Sequence, residues 1–245
     1  MSSSWINRAL EALWLLLVVL VPLAFIHRDY AFSEAVIAYV EVPKVALLRT
    51  LVGLMTLLWL IDWGIQGRFP TRSWIRNPLG QVRQQASIGQ LANWLREEPT
   101  RWLSLAVAFF LGTTLVSTFL SGSFATSLWG EIPGQDGYSA YTVAAYVLIF
   151  AIISTRLKTR LQMWRLLGAI VAMGVLITGN AVLQHYGYDF FDLIEETGGG
   201  STRVTSFMGN AIFAAAVMCM TIPVSLAAAA ATMREPKWAL CFAPS

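Results

Sequence analysis

Six long apolar runs constrain this chain more than any other feature of its sequence. They lie at residues 9–26, 45–62, 102–121, 139–155, 166–185 and 208–232. A helix needs about 20 mostly apolar residues to cross the hydrocarbon core of a bilayer, so each run is close to the length of one crossing. Only 13% of the residues are charged, against about 25% in a typical soluble domain, and this excludes an ordinary soluble enzyme. The sequence therefore predicts an all-α, polytopic membrane protein with about six transmembrane helices, forming a single membrane domain over residues 1–245.

Basic residues predict how these helices are oriented. Six arginines lie in residues 64–101, and residues 156–165 carry Arg156, Lys158, Arg160 and Arg165. Because basic loops stay on the cytoplasmic side, we expect both segments and both termini to be cytoplasmic, with residues 122–138 and 186–206 outside.

The basic cytoplasmic loop at residues 64–101 is open to two interpretations. Ile88, Leu91 and Leu95 follow helical spacing with polar residues between them, which favours an interfacial helix. Gly80 and Gly89 favour a mobile loop in which those apolar residues are incidental.

The residues that usually bind metals or nucleic acids are sparse. Cys219 and Cys241 lack metal-ligand spacing, and His27 and His185 are the only histidines. The formal charge of +3 gives little support for nucleic-acid binding. We therefore predict no metal, no cofactor and no nucleic-acid partner, and we expect membrane lipid as a partner.

Polar residues near the outer end of the fifth run are the first candidates for a site. Asn180 and Gln184 are four residues apart and share a helix face, while His185 lies at the predicted outer boundary. Hydrogen bonds between helices are the ordinary role of such amides in a membrane. Contact with a glycan or a lipid headgroup is the alternative.

Arg203 is the one basic residue in the outer segment 186–206. It follows three consecutive glycines and comes about two helical turns before Asn210. It can pair with Glu195 or Glu196, or snorkel to the interface at the start of the sixth run. Alternatively it anchors an anion, because a guanidinium group matches phosphate oxygens in a bidentate fork; Asn210 would then add a polar contact.

The other outer loop offers a further set of polar side chains. Gln135, Asp136, Tyr138 and Tyr141 could face sugars, or they could belong to an ordinary turn between two antiparallel helices.

Three segments, in order, resemble the first half of the O-antigen ligase and polymerase-like superfamily of membrane proteins. They are SLWGEIPGQDGYSAYTVAAYVLIF, with Trp129, Gly130, Gln135 and Gly137; AVLQHYGYDFF, with Leu183, Gln184, His185 and Tyr186; and RVTSFMGNAIFAAAVMCMTIP, with Arg203, Val204, Gly209, Asn210, Phe213 and Ala214. The family often has Gly-Asn-Pro-Asn where this chain has Gly209, Asn210, Ala211 and Ile212.

This resemblance implies a function at the outer face of the bacterial cytoplasmic membrane. It implies a ligase or polymerase that transfers glycans from a polyprenyl diphosphate, with Arg203 as the catalytic residue that stabilises the diphosphate and Asn210, Gln135, Gln184 and His185 as substrate contacts. The histidine that assists the acceptor in that family belongs to a later segment, so we expect residues 1–245 to be the N-terminal part of a larger domain and inactive alone. A non-catalytic assembly or transport-associated subunit is the alternative; the oligomeric state, the sugar and the acceptor stay open.

Overall fold

The computed structural model describes residues 4–31, 37–65, 100–130, 139–191, 196–197 and 201–234. Its helices are α1 (Ser4–Leu23), α2 (Val42–Ile65), α3 (Thr100–Phe119), α4 (Phe124–Trp129), α5 (Ala140–Arg156), α6 (Arg160–His185) and α7 (Ala211–Arg234). Short 3-10 turns occupy Arg28–Tyr30 and Ser206–Met208, and a π-helical turn at Ile37–Glu41 leads into α2. The strands β1 (Glu196–Thr197) and β2 (Ser201–Thr202) pair antiparallel.

The predicted all-helical, multi-pass architecture is confirmed. Within the described residues, five helices are long and apolar enough to cross a membrane: Trp5–Leu23, Ala38–Ile65, Trp102–Phe119, Arg160–His185 and Ala211–Ala231. The remaining predicted run, residues 139–155, coincides with α5, which is shorter at 17 residues. Of the predicted loop 64–101, residues 66–99 lie outside the described residues, so both interpretations of that loop stay predictions.

The helices are arranged in space in a different order from their order in the sequence. Each helix packs most extensively against its neighbours in the order α3, α5, α2, α1, α6 and α7. The largest apolar core joins α1, α2 and α5 around Trp14, Met55 and Ile152. The outer members α3 and α7 expose large apolar side chains such as Phe109 and Ile212. In a bilayer, these faces are suited to contact with lipid.

Two backbone carbonyl groups, one without a donor because of Pro43 and one at the end of α1, accept hydrogen bonds from neighbouring segments. Pro43 has no N–H to donate, and the Tyr39 carbonyl four residues earlier accepts a hydrogen bond from Ile26 N at 2.8 Å. At the end of α1, the Pro22 carbonyl accepts from the Lys44 ammonium group of α2. The chain around Ile26 and the C-terminus of α1 are thereby tied to the beginning of α2.

Helices α6 and α7 approach closely at a glycine. A Cβ atom placed on Gly174 would lie 2.9 Å from side-chain atoms of Thr221, which is closer than ordinary van der Waals contact. Small residues commonly allow such close contact between helices in a membrane.

Charged side chains join four helix ends at one side of the bundle. Arg156 Nη1, at the end of α5, lies 2.6 Å from Asp62 Oδ2 near the end of α2 and donates to Asn7 Oδ1 of α1 at 2.9 Å. Arg165 Nη1 of α6 lies 3.0 Å from Glu11 Oε1 of α1. The beginnings of α1 and α6 and the ends of α2 and α5 therefore lie at the same side of the bundle.

Candidate functional site

The Ser206–Met208 turn, which precedes α7, is held in place by buried amide side chains of α6. Gln184 Oε1 accepts a hydrogen bond from Ser206 N at 2.7 Å, and Ser206 Oγ donates to the Ile177 carbonyl at 2.7 Å. Asn180 Nδ2 approaches Ser206 Oγ at 3.5 Å. Ser206 is fully buried and has a positive φ of 49°, a conformation that is costly for a serine. These hydrogen bonds stabilise the turn in that conformation.

Asn180 and Gln184 are thus both buried on one face of α6, as the sequence predicts. They bond to the turn that precedes α7, however, and not to the side of another spanning helix. The remaining polar group of Gln184, Nε2, donates to Asp189 Oδ1 at 3.1 Å. Both ends of the Gln184 amide are therefore occupied by the chain itself.

The Gly209–Asn210 pair forms the transition into α7. Gly209 has a φ of 66°, in the left-handed region that glycine adopts without strain. Asn210 Oδ1 accepts from Ile212 N at 2.8 Å, as an N-capping side chain does. Asn210 is exposed, and its Nδ2 group has no hydrogen-bond partner among the described residues. One half of this side chain caps the helix and the other half is available to a ligand.

Arg203 lies three residues before the fixed Ser206 and is exposed. It makes no hydrogen bond or ion pair with another described residue. Glu195 lies outside the described residues, and the side chain of Glu196 is not described, so the salt-bridge alternative stays a prediction. The structure places Arg203 and Asn210 at the two sides of the same turn, at the end of the bundle opposite the ion pairs.

Three phenylalanine rings bring the end of α1 to this turn. The Phe25 ring centroid lies 5.3 Å from that of Phe191 and 5.8 Å from that of Phe207, and the Phe191 and Phe207 centroids are 5.5 Å apart. His185 is exposed and contacts the Tyr186 ring edge-on at 5.3 Å. His185 therefore faces away from the buried Gln184, although the two are adjacent in sequence.

The other outer loop is described only in part. Gln135, Asp136 and Tyr138 lie outside the described residues, so their contacts with sugars stay predictions. The described flank shows Trp129 and Tyr141 with ring centroids 5.2 Å apart, both partly exposed.

Arg49 is a candidate that the sequence analysis missed. Its Nη2 group donates to Ser139 Oγ at 3.0 Å and Thr142 Oγ1 at 2.9 Å, with a longer approach to the Trp129 carbonyl at 3.4 Å. Its Cζ lies 4.7 Å from the centroid of the Tyr141 ring. A basic residue inside the apolar run 45–62 is the sequence signal that could have identified it.

No group of three or more His, Cys, Asp or Glu side chains within the described ranges is placed to bind a metal ion. No family model, no curated protein and no solved structure matches the chain. The class that the fold supports, from its long apolar helices, is a multi-pass helical membrane protein.

Proposed function

We propose that this chain is part of a membrane glycosyltransferase, either a ligase or a polymerase. It acts on glycans linked to polyprenyl diphosphate at the outer face of the bacterial cytoplasmic membrane. The ordered resemblance of its three segments suggests the reaction. The single structural observation that carries the proposal is the exposed Arg203 on a turn fixed by buried hydrogen bonds.

The position of Arg203 suits a lipid diphosphate. The apolar surfaces of α6 and α7 offer a place for the polyprenyl tail, while the turn between them lies at one end of both helices. A guanidinium group at that end can bind two diphosphate oxygens at once. Negative charge builds up on the diphosphate as the glycosidic bond breaks, so a positioned cation stabilises the transition state more than the bound donor.

The neighbouring candidates take different roles in this proposal. Asn210 offers its exposed amide nitrogen to a donor oxygen, and the exposed His185 contacts the glycan. Gln184 positions the turn, because its polar atoms already bind Ser206 and Asp189. Gln135 is a substrate contact on the resemblance alone.

The outward orientation is supported by the basic segments together with the arrangement of the helix ends next to them. The basic segments 64–101 and 156–165 favour the cytoplasm under the positive-inside rule. The ion pairs of Arg156 and Arg165 gather four helix ends at the side that those segments adjoin. The turn carrying Arg203 is at the other end of α6 and therefore faces outward in this proposal.

A binding measurement tests the proposal. The purified chain in lipid nanodiscs is titrated with a long-chain polyprenyl diphosphate and, separately, with the monophosphate. Loss of a hydrogen-bonded charge costs about 1.5–3 kcal/mol, so Arg203→Ala should weaken diphosphate binding about 10- to 100-fold. Arg203→Lys should bind less tightly than the wild type, because lysine keeps the charge and loses the fork.

Arg160→Ala provides the matched control. Arg160 is an exposed arginine at the opposite end of α6, so its removal should leave diphosphate binding unchanged. Equal affinity of the wild type and Arg203→Ala for the diphosphate would contradict the proposal. Equal affinity of the wild type for mono- and diphosphate would contradict the assigned donor.

A further inference from the structure

Arg49 lies well inside the membrane-spanning part of α2. The span covers Ala38–Ile65. Arg49 comes five residues after Lys44, and the ammonium group of Lys44 caps the end of α1. At a rise of about 1.5 Å per residue, Arg49 is about 7–8 Å deeper than Lys44 and about 20 Å from Asp62 along the helix. A charge at such a depth is expensive and usually marks a functional group.

The described partners of Arg49 are all uncharged. They are two hydroxyl groups, one carbonyl group and the face of the Tyr141 ring. Its Nε atom is buried and has no acceptor among the residues that the structure describes. No carboxylate of a described residue pairs with it. The guanidinium charge is therefore not neutralised within the described part of the chain.

The start of α5 adds further positive potential at the same place. Ser139 caps this helix, and its side chain is one of the groups bound to Arg49. The N-terminal end of a helix carries a partial positive charge of about half a unit. A guanidinium group and a helix N-terminus repel each other unless an anion lies between or beside them.

Helix α5 begins beside Arg49. Its 17 residues span about 25 Å, less than the hydrocarbon core of about 30 Å. Its first turn meets α2 at Arg49 and not at the level of Lys44. The partly exposed rings of Trp129 and Tyr141 lie next to Arg49 at this level.

We infer that Arg49, oriented by Ser139 and Thr142, binds the phosphate group of a membrane lipid. A phosphate supplies the negative charge that the described residues around Arg49 lack, and its oxygens fit the guanidinium donors. The lipid chains supply apolar surface for the two aromatic rings. The phosphate can come from an anionic phospholipid of the bilayer or from a polyprenyl diphosphate; only the second source rests on the proposed function.

The test uses protein purified in maltoside micelles, which contain no phosphate. Binding is measured by native mass spectrometry with phosphatidylglycerol, with a polyprenyl diphosphate and with inorganic pyrophosphate. The wild type should bind at least one of the two lipids, and Arg49→Gln should weaken that binding at least about tenfold, as expected for loss of a charged hydrogen bond. Arg160→Gln, an exposed arginine at the other side of the bundle, should bind as the wild type does.

A second variant separates binding from folding. Arg49→Lys keeps the charge in place and loses the planar fork, so it should retain the helical circular dichroism and bind the lipid less tightly than the wild type. Unchanged lipid affinity in both Arg49 variants would overturn the inference. So would binding of pyrophosphate without binding of either lipid.

Two acids of the neighbouring loop, Glu131 and Asp136, lie outside the described residues and offer an alternative counter-ion. If Glu131→Gln or Asp136→Asn destabilises the lipid-free protein as much as Arg49→Gln does, and lipids leave the melting temperature unchanged, the inference is wrong.

The Arg203→Ala variant distinguishes the two sources of the phosphate. If Arg203→Ala still binds phosphatidylglycerol, Arg49 belongs to a separate lipid site. If binding of the diphosphate needs both arginines, they belong to one donor site. If Arg203→Ala leaves the affinity for the diphosphate unchanged while Arg49→Gln lowers it, only the proposed function is contradicted.

Discussion

Removing one partner of the Asp62–Arg156 ion pair should strongly destabilise the bundle. The Asp62 side chain is 0% exposed and that of Arg156 is 11% exposed, with 2.6 Å between Oδ2 and Nη1. Removing one member of a buried pair takes the opposite charge away from the other buried side chain, at a cost of about 3–5 kcal/mol. We therefore expect Asp62→Asn and Arg156→Gln each to lower the free energy of unfolding by about that amount.

The double variant distinguishes a pair from two unrelated residues. With both charges removed, neither side chain is a buried ion that has lost its partner, so the loss should be smaller than the sum of the single losses by about 2 kcal/mol or more. Unfolding by sodium dodecyl sulfate in mixed micelles, followed by far-ultraviolet circular dichroism, measures all four proteins. Asp29→Asn is the control, because that aspartate is 82% exposed and should change stability by less than about 0.5 kcal/mol.

Additive losses in this cycle would refute the reasoning. Single losses below about 1 kcal/mol, the range of exposed pairs, would refute it equally.

The remaining predictions concern helix packing and orientation. Gly174→Leu should destabilise the protein by about 1–3 kcal/mol, as overpacking does, because the leucine side chain would collide with Thr221. Gly179→Leu, at an exposed position of the same helix, is the control. Equal stability of the two leucine variants would contradict the close approach of α6 and α7. A cysteine at Gly134, introduced after the native cysteines are replaced, should react with an impermeant thiol reagent in intact cells. Protection at Gly134 together with labelling at Gly80 would reverse the predicted orientation.

Hydropathy predicted the helices because bilayer thickness fixes the length of a crossing. The predicted run 139–155 agrees with α5 within one residue at either end, and Ser139 is its cap. The predicted start of α1 at residue 9 was five residues late, because Asn7 and Arg8 interrupt the apolar pattern. In the structure Asn7 remains helical and bonds to Arg156.

Hydropathy did not predict which helices pack against each other. Asp62 and Glu11 lie in or next to apolar runs, and their partners are 94 and 154 residues away along the chain. A local hydropathy pattern contains no information about which helices are neighbours. The spatial order of the helices likewise follows from packing and not from sequence order.

The candidate site was predictable in part. The sequence placed Arg203 and Asn210 in the segment entering the last helix, and their exposure suits a ligand-binding role. It did not predict that Gln184 would hold Ser206 at a positive φ, because a serine rarely adopts that conformation without tertiary support. Arg49 was missed as a site because its partners Ser139 and Thr142 come from a different helix.

Photocrosslinking in the native membrane tests the central claim most directly. A glycan carried on a photoreactive polyprenyl diphosphate is activated in membranes that contain the full protein, and labelled peptides are located by mass spectrometry. We expect label within residues 201–213, lowered at least about tenfold by Arg203→Ala and unchanged by Arg160→Ala. Label confined to residues 66–99 or 156–165, or label at residues 201–213 that is insensitive to Arg203→Ala, would contradict it.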